Sequence, residues 1–165
     1  MGVTSALRSE IRRRFIPFAQ NSGFELDQSD APHMLRFRRI TSDEAHIFEI
    51  QWEKYGLPRF VINFGRCSKD GVTIRGQHFS AQQVSAGWLG GRLQPGRSRT
   101  TAGWFRQDKP LFSRLFSSEK VYSPSQVVQQ LMDLYSELDE YWKHRTVGPH
   151  LQIDGRVGEV DGNAT

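Results

Sequence analysis

Hydrophobic and polar residues recur with two different periods along this chain, and the changeovers mark its elements. Over residues 5–20, Leu7, Ile11, Phe15 and Phe18 fall at helical spacing, while Arg8, Arg12 and Arg13 occupy other faces. That spacing predicts a first helix. Pro17 lacks a backbone N–H, so a kink or an early end is expected near Ile16. Gly23 then reads as a stop signal. From Met34 the period drops to two. Residues 34–40 read as a strand with Leu35 and Phe37 on one face and Arg36 and Arg38 on the other. Residues 46–53 read as a second strand, with Phe48, Ile50 and Trp52 opposed to Glu49, Gln51 and Glu53. Gly56 and Pro58 mark a turn, and residues 59–64 follow with Phe60, Ile62 and Phe64 together. Two such strands joined by a short turn predict an antiparallel hairpin.

Residues 71–111 keep no sustained period. Val72, Ile74 and Phe79 suit one short strand, and residues 97–105 another. Gly87, Gly90, Gly91, Pro95, Gly96 and Gly103 break what lies between, so short strands joined by long loops are expected. Residues 123–144 carry the clearest helix. Ser123 suits the N-cap and Pro124 the first helical position, and Val127, Leu131, Leu134, Leu138 and Tyr141 form an apolar stripe. At about 22 residues such a helix is roughly 33 Å long. Gly148 and Pro149 end it.

Helix, strands, helix is the order of an α+β fold. The expectation is a two-layer architecture, an antiparallel sheet of about four to five strands flanked by an N-terminal helix and a long C-terminal helix. Residues 1–146 form the single domain in this reading. Residues 147–165 are expected to be a flexible, acidic, glycine-rich tail.

Composition narrows the class. A chain of 165 residues suits one domain, and 37% hydrophobic residues with 11 Phe and 4 Trp predict an aromatic core. Cys67 is the only cysteine, which excludes an intramolecular disulfide. No window approaches the roughly 18 apolar residues of a membrane span, and the first residues lack an apolar signal-peptide core. A cytoplasmic location and no membrane partner are therefore expected. The net charge of +4 is modest, but its distribution is uneven. Residues 71–107 contain no acidic side chain, yet they hold Arg75, Arg92, Arg97, Arg99 and Arg106.

Several quoted segments match a known pattern. Gly23-Phe24 follows the first helix, and Phe37-Arg38 lies on the next strand. Gln51-Trp52-Glu53-Lys54-Tyr55-Gly56 ends the following one, and Phe60-Val61-Ile62-Asn63-Phe64-Gly65 comes after it. Arg92-Leu93 and Trp104-Phe105 precede a closing helix ending near Trp142. Over residues 7–144 the chain resembles the bacterial domain-of-unknown-function 4304 family. It departs from that pattern in having Trp-Phe where a paired Trp is expected, and in its glycine-rich 85–103 segment. The family has no agreed activity. The resemblance implies an α+β scaffold and, through some relatives, an immunity or accessory role.

Catalytic constellations are missing from the pattern. His33, His46, His78, His144 and His150 are scattered and Cys67 has no cysteine partner, so no metal site is expected. Residues 87–92 are rich in glycine but lack the Gly-Lys-Ser/Thr ending of a phosphate loop. No cofactor is expected. The carboxylate pairs Asp43-Glu44 and Asp139-Glu140 fit solvated surfaces. Candidate binding residues are Arg92, Arg97, Arg99, Trp104 and Arg106 in the basic stretch, with Gln51 and Asn63 on the hairpin. Arginine with tryptophan suits an acidic protein partner, phosphate contacts or base stacking. A basic loop beside a core tryptophan has the same pattern. The expected function is that of a non-catalytic interaction protein with an acidic protein partner. An accessory nucleic-acid binder using residues 92–106 is the alternative. An enzyme assembled from Gln51, Asn63 and His78 is the least favoured reading.

Overall fold

The computed structural model describes residues 3–28, 32–108 and 121–154. Its first helix comes in three pieces: α1 (Val3–Glu10), a π-helical turn (Ile11–Phe15) and α2 (Ile16–Asn21). The π turn answers two demands of the sequence. Leu7, Ile11, Phe15 and Ala19 are all buried at a strict spacing of four. On a 3.6-residue helix that spacing drifts around the cylinder, and one wider turn brings it back. The same turn accommodates Pro17. The N–H of Ile16 bonds to the carbonyl of Ile11, and Pro17 follows in the first turn of α2, where no donor is required. The expected early end near Ile16 therefore does not occur, and the helix continues to Asn21. Gly23, at φ +84°, turns the chain into the sheet.

Among the described residues the main sheet is antiparallel and has seven strands, more than the expected four to five. They are β1 (Glu25–Leu26), β2 (Met34–Ile40), β3 (Glu44–Trp52), β4 (Arg59–Ser68), β7 (Gly91–Leu93), β8 (Phe105–Arg106) and β9 (Leu151–Ile153). Their order is β1-β2-β3-β4-β7-β9, with β8 pairing the start of β4. A separate hairpin joins β5 (Val72–Ile74) to β6 (Gln77–Phe79). The long helix α3 (Pro124–His144) begins with a full capping box between Ser123 and Gln126. It is closed by Arg145 in the left-handed conformation. The α+β class and both flanking helices agree with the sequence reading. No described helix is long and apolar enough to cross a membrane.

Three expectations need correction. Residues 97–105 do not form a strand, and only Phe105–Arg106 pair, because the 3-10 turn Thr101–Gly103 interrupts them. Gly91, expected to break structure, instead opens β7 between β4 and β9. A side chain there would sit 2.4 Å from the Phe64 carbonyl oxygen, so the strand needs a glycine to approach so closely. The segment after residue 147 is not wholly a free tail. Leu151–Ile153 pair with β7, and Leu151 is buried. The folded unit thus extends at least to Asp154, and the rest of the expected tail lies outside the described residues.

The core lies between the sheet and the helices. Phe48 is its centre, within 6.2 Å of the rings of Phe15, Phe24, Phe37, Tyr135 and Trp142. Most of these contacts are edge-to-face, the favoured arrangement for aromatic quadrupoles. The opposite face is not bare. Ala45 and Ile47 of the sheet meet Val72, Ala81, Val84 and Ala86 in a second, smaller core. Gly65 makes this contact possible, since a Cβ there would overlap Leu89 at 2.2 Å. Phe48→Ala is expected to cost about 3–5 kcal/mol. Tyr55→Ala, at an exposed turn position, should change stability by about 0.5 kcal/mol or less. Urea unfolding of the two variants checks this contrast.

Candidate functional site

Strand register lines up a row of polar side chains on the face away from the helices. Arg36 faces Glu49, Glu49 faces Asn63, Asn63 faces Arg92, and Arg92 faces Gln152. The row crosses five strands, and its two halves differ. Glu49 is wholly buried. It pairs with Arg36 and accepts the Ser85 hydroxyl at 2.9 and 3.1 Å. Ser85 immediately precedes the 3-10 turn Ala86–Trp88, so this pair ties the covering segment onto the sheet. Arg38 helps by donating to the carbonyls of Ala81 and Val84 and pairing with Asp27.

The second half of the row is open. Asn63, Arg92, Arg99, Gln152 and Asp154 line a cleft of about 220 Å³, walled on one side by Gly87, Gly90 and Gly91. Asn63 is nearly buried and donates to Gln51 Oε1 at 2.7 Å. Gln152 Nε2 donates to the Arg97 carbonyl at 3.2 Å. Arg92 reaches the Arg99 carbonyl at 3.5 Å.

The loop carrying Arg97 and Arg99 is held from within. Gln94 is fully buried, and its Nε2 donates to the carbonyls of Gly96 and Ser98. The N–H of Gly96 bonds to the Gly103 carbonyl at 2.9 Å. Gly103 has no room for a side chain, since a Cβ would lie 2.3 Å from the Ser98 carbonyl oxygen. A buried amide thus replaces the backbone ladder that a strand would have supplied.

The sequence candidates separate accordingly. Arg92, Arg99 and Asn63 come together in the cleft, with Gln51 beside them through Asn63 and Arg97 exposed on the adjoining loop. Trp104 does not join them, being buried beside the loop. Arg106 is also removed, because its guanidinium pairs with Asp108 at 3.0 Å. His78 belongs to the β5–β6 hairpin and contacts the Asp70 carbonyl and Thr73, away from the cleft lining. Cys67 is half-buried, and burial pushes its thiol up, so it is a poor nucleophile. Sequence reasoning missed Gln152, Asp154 and Trp88. The first two lay in the expected tail. Trp88, 42% exposed, follows Gly87 of the cleft lining, and its ring packs on Phe79 of β6 with centroids 5.0 Å apart.

A second polar cluster closes the other end of the hairpin. Glu44 accepts from Arg66, Arg145 and His46, and His46 stacks on Trp142 with ring centroids 5.4 Å apart. Burial holds the His46 pKa below its ordinary value, against the opposing pull of Glu44. Burial also raises the Glu44 carboxyl, but His46, Arg66 and Arg145 together hold it below the usual value. This cluster joins strands to the end of α3.

No protein-family model, curated protein or solved structure matches the chain. The family resemblance set out above therefore adds nothing to the assignment of the cleft.

Two outcomes follow from this geometry. Gln94→Leu leaves loop carbonyls without their donor and should cost about 1–3 kcal/mol. It should also speed amide exchange at Gly96, while Phe48 in the main core stays protected. The second outcome concerns pH. Both the His46 and the Glu44 pKa are depressed on folding, so the unfolded chain binds more protons and acid destabilises. The His46 contribution is complete above about 6.5 and fades as pH falls below it; that of Glu44 fades below about 4.5. His46→Gln cannot titrate, so its stability should change less between about pH 7 and pH 5 than that of the parent chain. Denaturant midpoints across that range measure the difference.

Proposed function

We propose that this chain is a bacterial interaction protein without catalytic function, of the immunity or accessory type, that docks an acidic protein partner beside the cleft. One observation carries the reading. Arg92, Arg97 and Arg99 make no salt bridge among the described residues, whereas Arg36, Arg38, Arg39, Arg59, Arg66 and Arg106 each meet a carboxylate. These three guanidinium groups, with Asp154 the carboxylate of the cleft lining, leave a net positive field at one end of the sheet that attracts acidic surfaces and speeds encounter. The loop that presents Arg97 and Arg99 is already ordered by Gln94, so little conformational entropy remains to be lost on binding. Exposed Trp88, next in sequence to Gly87 of the cleft lining, offers the aromatic side chain that binding hot spots favour.

Among the described residues the cleft lining contains no histidine, cysteine, serine or lysine. That composition supports binding over nucleophilic chemistry, and Asp154 is the carboxylate of the lining. The nucleic-acid alternative uses the same basic 92–106 stretch, but Trp104 is buried and does not present a ring for base stacking.

A photo-crosslinking residue placed at Ser98 identifies the partner in cells, and the purified pair is then measured directly. Arg97→Glu/Arg99→Glu should weaken binding at least about tenfold, or about 1.4 kcal/mol, and binding should fall with salt. Equal affinity for both versions removes the arginines from the reading. Salt-sensitive retention on single-stranded DNA with no crosslinked protein transfers the surface to the nucleic-acid alternative.

A further inference from the structure

The floor of the cleft has a more specific donor arrangement than the surface around it. Asn63, Arg92 and Gln152 stand opposite one another on β4, β7 and β9. Neighbouring strands lie about 4.8 Å apart, so the three side chains form a short line with the guanidinium in the middle. Each amide nitrogen carries two hydrogens. Asn63 commits one to Gln51 and Gln152 commits one to the Arg97 carbonyl, which leaves each amide one hydrogen for the cleft. Among the described residues Arg92 commits only a long contact to the Arg99 carbonyl, leaving most of its five N–H donors.

We infer that the cleft binds a single carboxylate group. Arg92 meets it fork to fork, and the Asn63 and Gln152 amides donate to its outer lone pairs. Three further observations favour this ligand. Among the described residues the lining holds two guanidinium groups and one carboxylate, Asp154, so one negative charge neutralises it while a dianionic phosphate overshoots. The donors form a line, which matches a planar carboxylate better than a tetrahedral phosphate. At about 220 Å³ the cleft lies below the range of pockets that hold drug-sized molecules. The carboxylate belongs either to a small free acid or to an Asp or Glu side chain of the docked partner.

The test uses the full chain, labelled with nitrogen-15 and titrated at constant ionic strength. The probes are sodium acetate, sodium glutarate and inorganic phosphate. The reporters are the side-chain amides of Asn63 and Gln152 and the Arg92 Nε–H. Acetate should shift all three saturably, with a dissociation constant of about 1–10 mM, within the ceiling for four non-hydrogen atoms. Arg92→Gln should weaken it at least about tenfold, and Gln152→Glu should do the same by repulsion at an edge strand. Arg12→Glu, on the first helix, should leave it unchanged. Glutarate binding at least about tenfold tighter than acetate assigns the site to a free acid. Equal affinities, with acetate displaced by the crosslinked partner, assign it to a partner side chain. Absence of saturation by about 50 mM acetate overturns the inference. So do shifts undiminished in both cleft variants, or phosphate binding tighter than acetate. Because the titration needs no partner, it can fail while the docking reading stands, and the reverse also holds.

Discussion

The register between β3 and β4 is the constraint on which the rest of this structure depends. Two adjacent rows of side chains run at right angles to the strands. Leu35, Ile50, Ile62, Leu93 and Leu151 form one, in register across five strands and turned to the helices. Arg36, Glu49, Asn63, Arg92 and Gln152 form the next and turn to the other face. The rows differ by a single residue along every strand. A slip of one residue would exchange them, placing Glu49 among the aromatic rings and Ile50 in the cleft. Burial of the apolar row therefore fixes the polar one. Packing around Phe48 and the line of donors in the cleft are two consequences of one pairing pattern.

Both faces of the hairpin are covered, which makes Glu49 unusual. A charge removed from water is costly unless paired and hydrogen-bonded. Arg36 and Ser85 supply both. The pair contributes position more than net stability, because it orients Ser85 and the turn after it. That turn carries Gly87 to the cleft lining and leaves Trp88 half-exposed against Phe79. Gly65 and Gly91 cooperate by leaving out side chains where the covering segment and β7 approach the sheet. The glycine-rich stretch is close-packed at these points.

Periodic elements were legible in the sequence, and short ones were not. Both flanking helices, β2, β3 and the start of β4 repeat long enough for their period to show. β7 and β9 have three residues each, and a period of two cannot establish itself over three positions. They exist because β4 offers an edge and Leu93 and Leu151 are buried in the main core, a tertiary cause invisible to local pattern. The π turn escaped for a different reason. The strict four-residue spacing of Leu7, Ile11, Phe15 and Ala19 was present, but Ala19 was not read as part of the stripe. Of the cleft, Arg92, Arg99 and Asn63 were legible as residue types. Their convergence was not, because it runs through two strands that the sequence does not announce.

The acid-free stretch shows why linear charge is a poor guide to a surface. Residues 71–107 look uniform in sequence, yet the fold gives their arginines opposite fates. Arg106 is neutralised by Asp108, the first acidic residue beyond the run, because the chain reverses there onto β4 and brings Arg59 to the same carboxylate. Arg97 and Arg99 stay uncompensated because Gln94 curls the loop around a buried amide and turns both side chains outward. Trp104 follows the opposite course, drawn inward beside Phe105, whose ring stacks on Phe60 at 5.1 Å. A neutral, buried glutamine thus decides which charges of the run remain available. A substitution there would alter the electrostatic surface without changing the net charge of the protein.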